Sequence, residues 1–152
     1  MTDLTARNEL YTLFTDTWGD VLSGPTALLG YIPEVRYRGI EKPDKPLSNK
    51  FWVMNSLEII DQYQSCLGGG ANGSKKSWTT EGMFISQLFC PKNENNGVTN
   101  GWKLSIIIRD VFRTKNTSGN IWFKNQKIVP LEDEAHYHRF NVITEYQYDE
   151  KA

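Results

Sequence analysis

The sequence predicts a single α+β domain over residues 1–152, with a mixed, mainly antiparallel sheet and two main helices packed on it. A length of 152 residues is enough for one domain with a hydrophobic core. Helical and strand-like apolar periods follow each other in the order helix, strands, helix, strands, and most connections suit antiparallel pairing. A β-hairpin and long polar loops complete this expectation.

The strand and helix between Gly82 and Arg113 are the strongest local signals. Residues 83–90 (MFISQLFC) carry apolar side chains on both alternating faces, so we expect a central strand that is covered on both sides. Residues 91–101 predict a loop, and residues 102–113 predict an amphipathic helix. The side chains that we expect to be nearly inaccessible are Phe84, Leu88, Ile107 and Ile108.

The other elements are predicted from weaker patterns. Thr2 or Asp3 is expected to cap a first helix that continues through Leu22 and ends at Ser23-Gly24-Pro25. Residues 31–38 predict a short strand, and residues 51–67 predict a long strand with one core face. A hairpin with its turn at Asn125-Gln126 is expected in residues 121–129, and a last strand in residues 136–149.

Two polar segments interrupt these elements. Residues 39–50, which we call the arm, contain two prolines among charged residues and are expected to be extended. Residues 68–77 (GGGANGSKKS) are close to a phosphate-binding loop. Ser74, however, separates the last glycine from Lys75, and the following residues predict a strand instead of the required helix. The pattern therefore favours a mobile polar loop over a nucleotide site.

The composition excludes some classes of function and leaves others open. A net charge of −1 disfavours a nucleic-acid reader held by a broad basic surface. No segment is typical of a transmembrane helix or a signal peptide. Cys66 and Cys90 form no metal-binding or disulfide pattern, which favours reduced thiols in an intracellular place of synthesis.

The only candidate metal ligands close together are Glu134, His136 and His138. They share one parity of a predicted strand, and such a set can hold zinc or iron if further ligands join it. No further ligand can be named, so an exposed strand start after an acidic turn is the favoured interpretation. Cys66 and Cys90 lie in apolar strands, and no serine has a nucleophile-elbow motif. We therefore predict no catalytic, cofactor-binding or metal-binding residue, and no enzyme activity.

A resemblance to a known family rests on the order of several short motifs. They are Ile32-Pro33 followed by Val35-Arg36-Tyr37, FWVMNS at 51–56, a glycine-rich loop after Cys66-Leu67-Gly68, TEGMFISQLFCP at 80–91, and FNVITEYQYD at 140–149. In this order, the chain resembles the tail terminator proteins of long-tailed phages and prophages, including the minor tail protein U type. Residues 114–134 depart from the family pattern.

The resemblance implies a structural role in the virion. Family members are small subunits that close into a six-fold ring on the tail tube, stop its polymerisation and present a surface to the head connector. It implies as partners other copies of this chain, the tail tube protein and a head-completion protein, while DNA passes through the lumen unread and no membrane is involved. It places the protein at the head-proximal end of the tail, after synthesis in the bacterial cytoplasm.

A ring of identical subunits needs two different contact patches on each subunit. The arm, the glycine-rich loop and the tryptophans beside them are the candidates: Lys42, Pro43, Asp44, Lys45, Pro46, Trp52, Lys75, Lys76 and Trp78. Two alternatives to a terminator remain open. One is another neck, tail-completion or tube protein, and the other is a small metal-dependent enzyme that uses Glu134, His136 and His138.

Overall fold

The fold is a five-stranded sheet with helices on one face. The computed structural model describes residues 2–40, 44–46, 49–66, 76–114 and 120–151. In chain order the elements are α1 Asp3–Trp18, α2 Thr26–Leu29, β1 Glu34–Tyr37, β2 Trp52–Cys66, β3 Ser77–Pro91, α3 Gly97–Thr114, β4 Ile121–Leu131 and β5 Tyr137–Lys151. This arrangement confirms the predicted α+β class.

Strand β3 is the centre of the sheet, whose order is β1-β2-β3-β5-β4. It pairs antiparallel with β2 on one side and with β5 along its whole length on the other. Only β1 pairs parallel to its neighbour, so the sheet is mixed and mainly antiparallel, as predicted. The central strand begins earlier than expected, at Ser77, and Pro91 is its last residue.

The core lies between the helices and the side of β3 that carries the even-numbered residues. The Phe84 ring is 5.9 Å from the Phe14 ring of α1 and 4.9 Å from the Phe112 ring of α3. Phe84, Leu88 and Ile108 are inaccessible, which confirms three of the four expected core residues. Ile107 is only half-buried, because the buried stripe of α3 runs through Leu104, Ile108 and Val111.

Helix α1 is shorter than its apolar pattern predicts. The Thr2 hydroxyl accepts a hydrogen bond from the backbone N–H of Thr5, which confirms the N-terminal cap. The helix ends at Trp18, and the carboxylate of Asp20 then accepts from the backbone N–H of Leu22 in a turn. The expectation that Val21 and Leu22 continue the buried stripe is therefore wrong; their side chains are 66% and 92% exposed.

The predicted hairpin inside residues 121–129 is also wrong. Residues 121–131 form one strand that runs through the expected turn, and the hairpin is instead made by β4 with β5. The turn-like residues produce a β-bulge, with one extra residue between Lys124 and Lys127 and a left-handed φ of 54° at Asn125. Asparagine tolerates this backbone region well, and a bulge and a turn therefore look alike in the sequence.

Candidate interaction surface

The sheet has one face that no described helix or strand covers, and we call it the open face. Helices α1 and α3 both pack on the opposite face, where the even-numbered side chains of β3 lie. On the open face, Met83, Ile85 and Gln87 are half-buried. The expectation that β3 is covered on both sides is therefore wrong, although Phe89 is only 6% exposed.

An aromatic cluster explains the burial of Phe89. The Trp52 ring of β2 stacks on the Phe89 ring, with 3.9 Å between the ring centres and an angle of 5° between the ring planes. The Tyr137 ring packs edge-on against Phe89, with 5.7 Å between the ring centres. The Arg36 guanidinium lies 5.9 Å from the centre of the Trp52 ring. The indole N–H of Trp52 is buried without a hydrogen-bond acceptor among the described residues.

Arg36 connects this cluster to the arm. Its Nη2 donates to the backbone carbonyl of Asp44, and its Nε lies 3.3 Å from a carboxylate oxygen of Glu34. Asp44 and Lys45 are exposed and Pro46 is half-buried. The structure thus brings the described part of the arm and Trp52 together through one guanidinium. Their role as interface residues stays a prediction. Lys42 and Pro43 lie outside the described residues.

The second predicted patch lies at the other end of the sheet. Trp78 is 41% exposed, and Lys76 beside it is exposed. Trp52 pairs with Phe89, so about eleven residues of β3 separate the two tryptophans, roughly 36 Å along an extended strand. Trp52 and Trp78 therefore belong to two different surfaces. Lys75 and most of the glycine-rich loop lie outside the described residues.

A shallow depression on the open face adds polar groups to the apolar surface. Its volume is about 320 Å³, and Met54 and Ile85 lie among polar side chains. The side-chain oxygen of Asn141 is buried there without a donor among the described residues. Buried polar atoms normally have partners, and either water in the depression or a bound molecule can supply this donor. The full lining is Arg38, Met54, Ser56, Glu58, Ile85, Gln87 and Asn141.

A larger cavity of about 510 Å³ lies between α1 and β2, on the helix side of the sheet. The Tyr148 hydroxyl donates to the carboxylate of Asp3, which attaches the start of α1 to β5. Burial raises the pKa of Tyr146 to about 12, and the negative charge of Asp3 adds to this effect. Burial and the hydrogen bond to Asp3 also raise the pKa of Tyr148.

Because the pKa values of Tyr146 and Tyr148 are raised in the folded protein, we expect the protein to lose stability at alkaline pH. An unfolded tyrosine ionises near pH 10, whereas folded Tyr146 stays neutral to about pH 12. The contribution of these tyrosines to the free energy of unfolding should therefore be constant well below pH 10 and fall as the pH rises toward 12, by up to about 1.4 kcal/mol per pH unit for each such tyrosine. Urea unfolding at pH 8 and pH 11 measures this. In Tyr146→Phe the fall should be smaller, and an equal fall would contradict the prediction.

The candidate metal ligands do not share a strand as predicted. Strand β5 begins at Tyr137, so Glu134 and His136 lie in the turn before it. The Nδ1 atom of His138 is 2.9 Å from a carboxylate oxygen of Asp133, and this hydrogen bond lowers the pKa of Asp133. A carboxylate oxygen of Glu134 is 3.4 Å from Nη1 of Arg139. No group of three His, Cys, Asp or Glu residues able to hold a metal exists within the described ranges.

The remaining candidate chemistry involves Cys90, whose thiol is fully buried in β3. Burial raises the pKa of this thiol to about 12, and the nearby charge of Glu94 adds to the increase. A thiol with so high a pKa is a poor nucleophile at neutral pH. Cys90 is therefore a packing residue, as its apolar strand predicts. Cys66 ends β2, but its side chain lies outside the described part of the chain.

Comparisons with known proteins support the fold and do not extend to a function. No protein-family model matches the chain, and no curated protein matches it. A solved structure that is named only by a sequence identifier is similar, with a TM-score of 0.60 over 93% of this chain and 94% of that chain. The two sequences are 9% identical, so the likeness concerns the fold alone. None of the helices in the described part of the chain is long and apolar enough to cross a membrane.

The sequence did not indicate which residues surround Trp52. Phe89 and Tyr137 come from strands far apart in the chain, and they meet Trp52 only because β3 lies between β2 and β5. The only signal in the sequence was that each of three predicted strands has an aromatic residue near one of its ends. These residues can be recognised as a cluster only when the order of the strands in the sheet is known.

Proposed function

We propose that this chain is a phage tail terminator: a structural subunit that forms a ring, most simply a hexamer, on the last ring of the tail tube. The ring stops tube polymerisation and offers its other side to a head-completion protein. Its partners are copies of itself, the tube protein and that head protein. DNA passes through the ring without being read, and the protein resides at the head-proximal end of the tail.

The observation that carries this proposal is the open face of the sheet. On this face Trp52 is half-buried, its ring stacks on the buried Phe89, and the half-buried Arg36 places its guanidinium beside it. Aromatic residues and arginine are among the residues that protein interfaces favour. A subunit that functions by assembly needs such a surface, which supports the role that the order of sequence motifs implies.

Particles made without this protein test the proposal directly. We expect electron microscopy to show tails of uncontrolled length that lack heads, and the wild-type gene supplied in trans should restore the normal length. Antibody labelling of normal particles should place the protein at the head-proximal end of the tail. Normal tails in the deletion strain would refute the proposal. Label along the whole tail would instead indicate a tube protein.

Shortening the arm should separate folding from assembly. Removal of residues 42–46 eliminates the contact between Arg36 and the carbonyl of Asp44 but no described core residue. Changes of loop length cost only about 0.6 kcal/mol per doubling, so we expect the melting temperature to change by a few degrees at most. The shortened protein should fail to restore tail length in the deletion strain. Unfolding would show that the arm belongs to the core, and normal tails would show that it has no part in termination.

A further inference from the structure

The sheet ends in two strand edges that have no described neighbour. Strand β1 pairs with β2 only from Trp52 to Asn55, so the stretch from Ser56 to Cys66 has an unpaired side among the described residues. Strand β4 is last in the sheet order and pairs only with β5, which leaves its outer side unpaired in the same sense. Residues 56–66 of β2 and strand β4 have 11 residues each, with two register shifts in the β2 stretch and one in β4. An unpaired edge is a template for another strand.

The two edges carry opposite charge. Residues 56–66 contain Glu58 and Asp61 and no lysine or arginine, whereas β4 contains Lys124 and Lys127 and no acidic residue. All four side chains are exposed, and all four lie on the open face. Glu58, Asp61 and Lys127 form no ion pair with a described residue, and Lys124 is 4.0 Å from a carboxylate oxygen of Glu81. The edges are therefore electrostatically complementary.

The spacing of the charges matches as well. Over residues 56–64 of β2 and residues 121–129 of β4, each edge has one β-bulge at the corresponding place: one extra residue lies between Ile59 and Asp61 in β2, and one between Lys124 and Lys127 in β4. A second irregularity of β2, between Gln64 and Cys66, lies beyond this stretch. As a result, the two acidic residues and the two lysines are both three positions apart in sequence and two positions apart along the sheet. Two strands with the same irregularity can face each other residue by residue.

The geometry points to a second copy of this chain as the occupant. We propose that residues 121–129 of one copy pair with residues 56–64 of the next, and that Lys127 lies opposite Glu58 and Lys124 opposite Asp61. The pairing ends before Pro130, because β1 already pairs with Asn55 of the neighbouring copy. Within one copy β2 and β4 run in opposite directions, because three antiparallel pairings separate them. A rotation about an axis along the strands preserves these directions. The new pairing is therefore antiparallel, and the contact is head-to-tail, as a closed ring requires.

This register also pairs the exposed apolar side chains beside the charges. Trp122, 53% exposed, comes to lie opposite Tyr63, 40% exposed. On the helix side, Ile128 comes to lie opposite Leu57, at the wall of the cavity between α1 and β2. Aromatic and aliphatic pairs across strands stabilise sheets, so the register that pairs the charges also covers exposed apolar area.

Charge reversal tests the pairing in the purified full-length protein. Glu58→Lys and Lys127→Glu should each weaken self-association on the order of tenfold, because each places like charges opposite each other. The double variant Glu58→Lys/Lys127→Glu should restore it. Sedimentation velocity measures the mass, and Lys103→Glu, on the exposed side of α3, is the matched control. A wild-type protein that stays monomeric at its highest soluble concentration, or a double variant that is not restored, would overturn the proposal.

Cross-linking tests the register. In a Cys66→Ser background, Glu58→Cys/Lys127→Cys should form disulfide-linked ladders on oxidation, because directly opposed residues have Cβ atoms about 4.5–5.5 Å apart. Glu58→Cys/Lys124→Cys, shifted by two positions along the sheet, should cross-link at least about tenfold more slowly, since diagonal neighbours are about 7–8 Å apart. Equal rates for the two pairs would overturn the register.

The inference rests on the proposed function only in taking the copies as members of a closed ring. Failure of the two proposals is distinguishable. If the edge variants associate like wild type while the deletion strain makes long tails, the terminator role stands and the edge contact is refuted. If the ladders form but tails of the deletion strain are normal, the contact stands and the terminator role is refuted.

Discussion

Replacing Ile108 with aspartate should leave almost no soluble folded protein. Ile108 is completely inaccessible on α3, in the core cluster that contains Phe84 and Leu88. Loss of the buried side chain costs about 2–5 kcal/mol, and the uncompensated carboxylate adds several more. A domain of this size has about 5–15 kcal/mol of stability in total, so the change should consume most of it. Soluble yield and the circular dichroism of any soluble fraction measure the effect.

Ile106→Asp is the matched control, since it makes the same substitution on the same helix. Ile106 is 40% exposed, so its carboxylate can remain in water and the melting temperature should stay close to that of the wild type. A soluble Ile108→Asp protein with normal melting would mean that α3 does not pack on the sheet through this side chain. Two equally damaged variants would mean that the charge disturbs the helix itself instead of the core.

The sequence predicted α3 and β3 well because their apolar periods are strong and local. Leu104, Ile108 and Val111 recur at helical spacing, and all three are buried. The helical period does not distinguish a core position from its neighbour at the edge of the apolar stripe. For this reason the burial of Ile107 was overestimated. At Val21 and Leu22 the apolar pattern misled, because the helix already ends at Trp18 with Gly19 as its C-cap, and the carboxylate of Asp20 holds the following turn.

Most of the candidate surface could not be predicted, because it depends on strand order. A sequence shows that Trp52, Phe89 and Tyr137 are aromatic, but only the pairing of β2, β3 and β5 brings them together. The free edges are hidden for the same reason. The first helix and the prolines of the arm are local features, whereas a missing strand beside residues 56–66 is a property of the whole sheet.

Gly101 shows how tertiary packing can reverse a local preference. The sequence placed it at the end of a loop, yet α3 begins at Gly97 and Gly101 lies inside it. A Cβ atom at this position would be 2.6 Å from Sγ of Cys90 and 2.7 Å from Cε2 of Phe140. Both contacts are too short for non-bonded atoms, so the absence of a side chain lets the helix approach the sheet closely.

We therefore expect Gly101→Ala to destabilise the protein. Helix propensity alone predicts a gain of about 1 kcal/mol for alanine in a helix, whereas overpacking against two buried side chains costs about 1–3 kcal/mol. Urea unfolding should show a net loss in Gly101→Ala and little change in Lys103→Ala, which places alanine at an exposed position of the same helix. The loss should be smaller in a Cys90→Ala background, where one of the two colliding atoms is absent. A stabilised Gly101→Ala protein would show that propensity outweighs packing here and that α3 does not approach the sheet so closely.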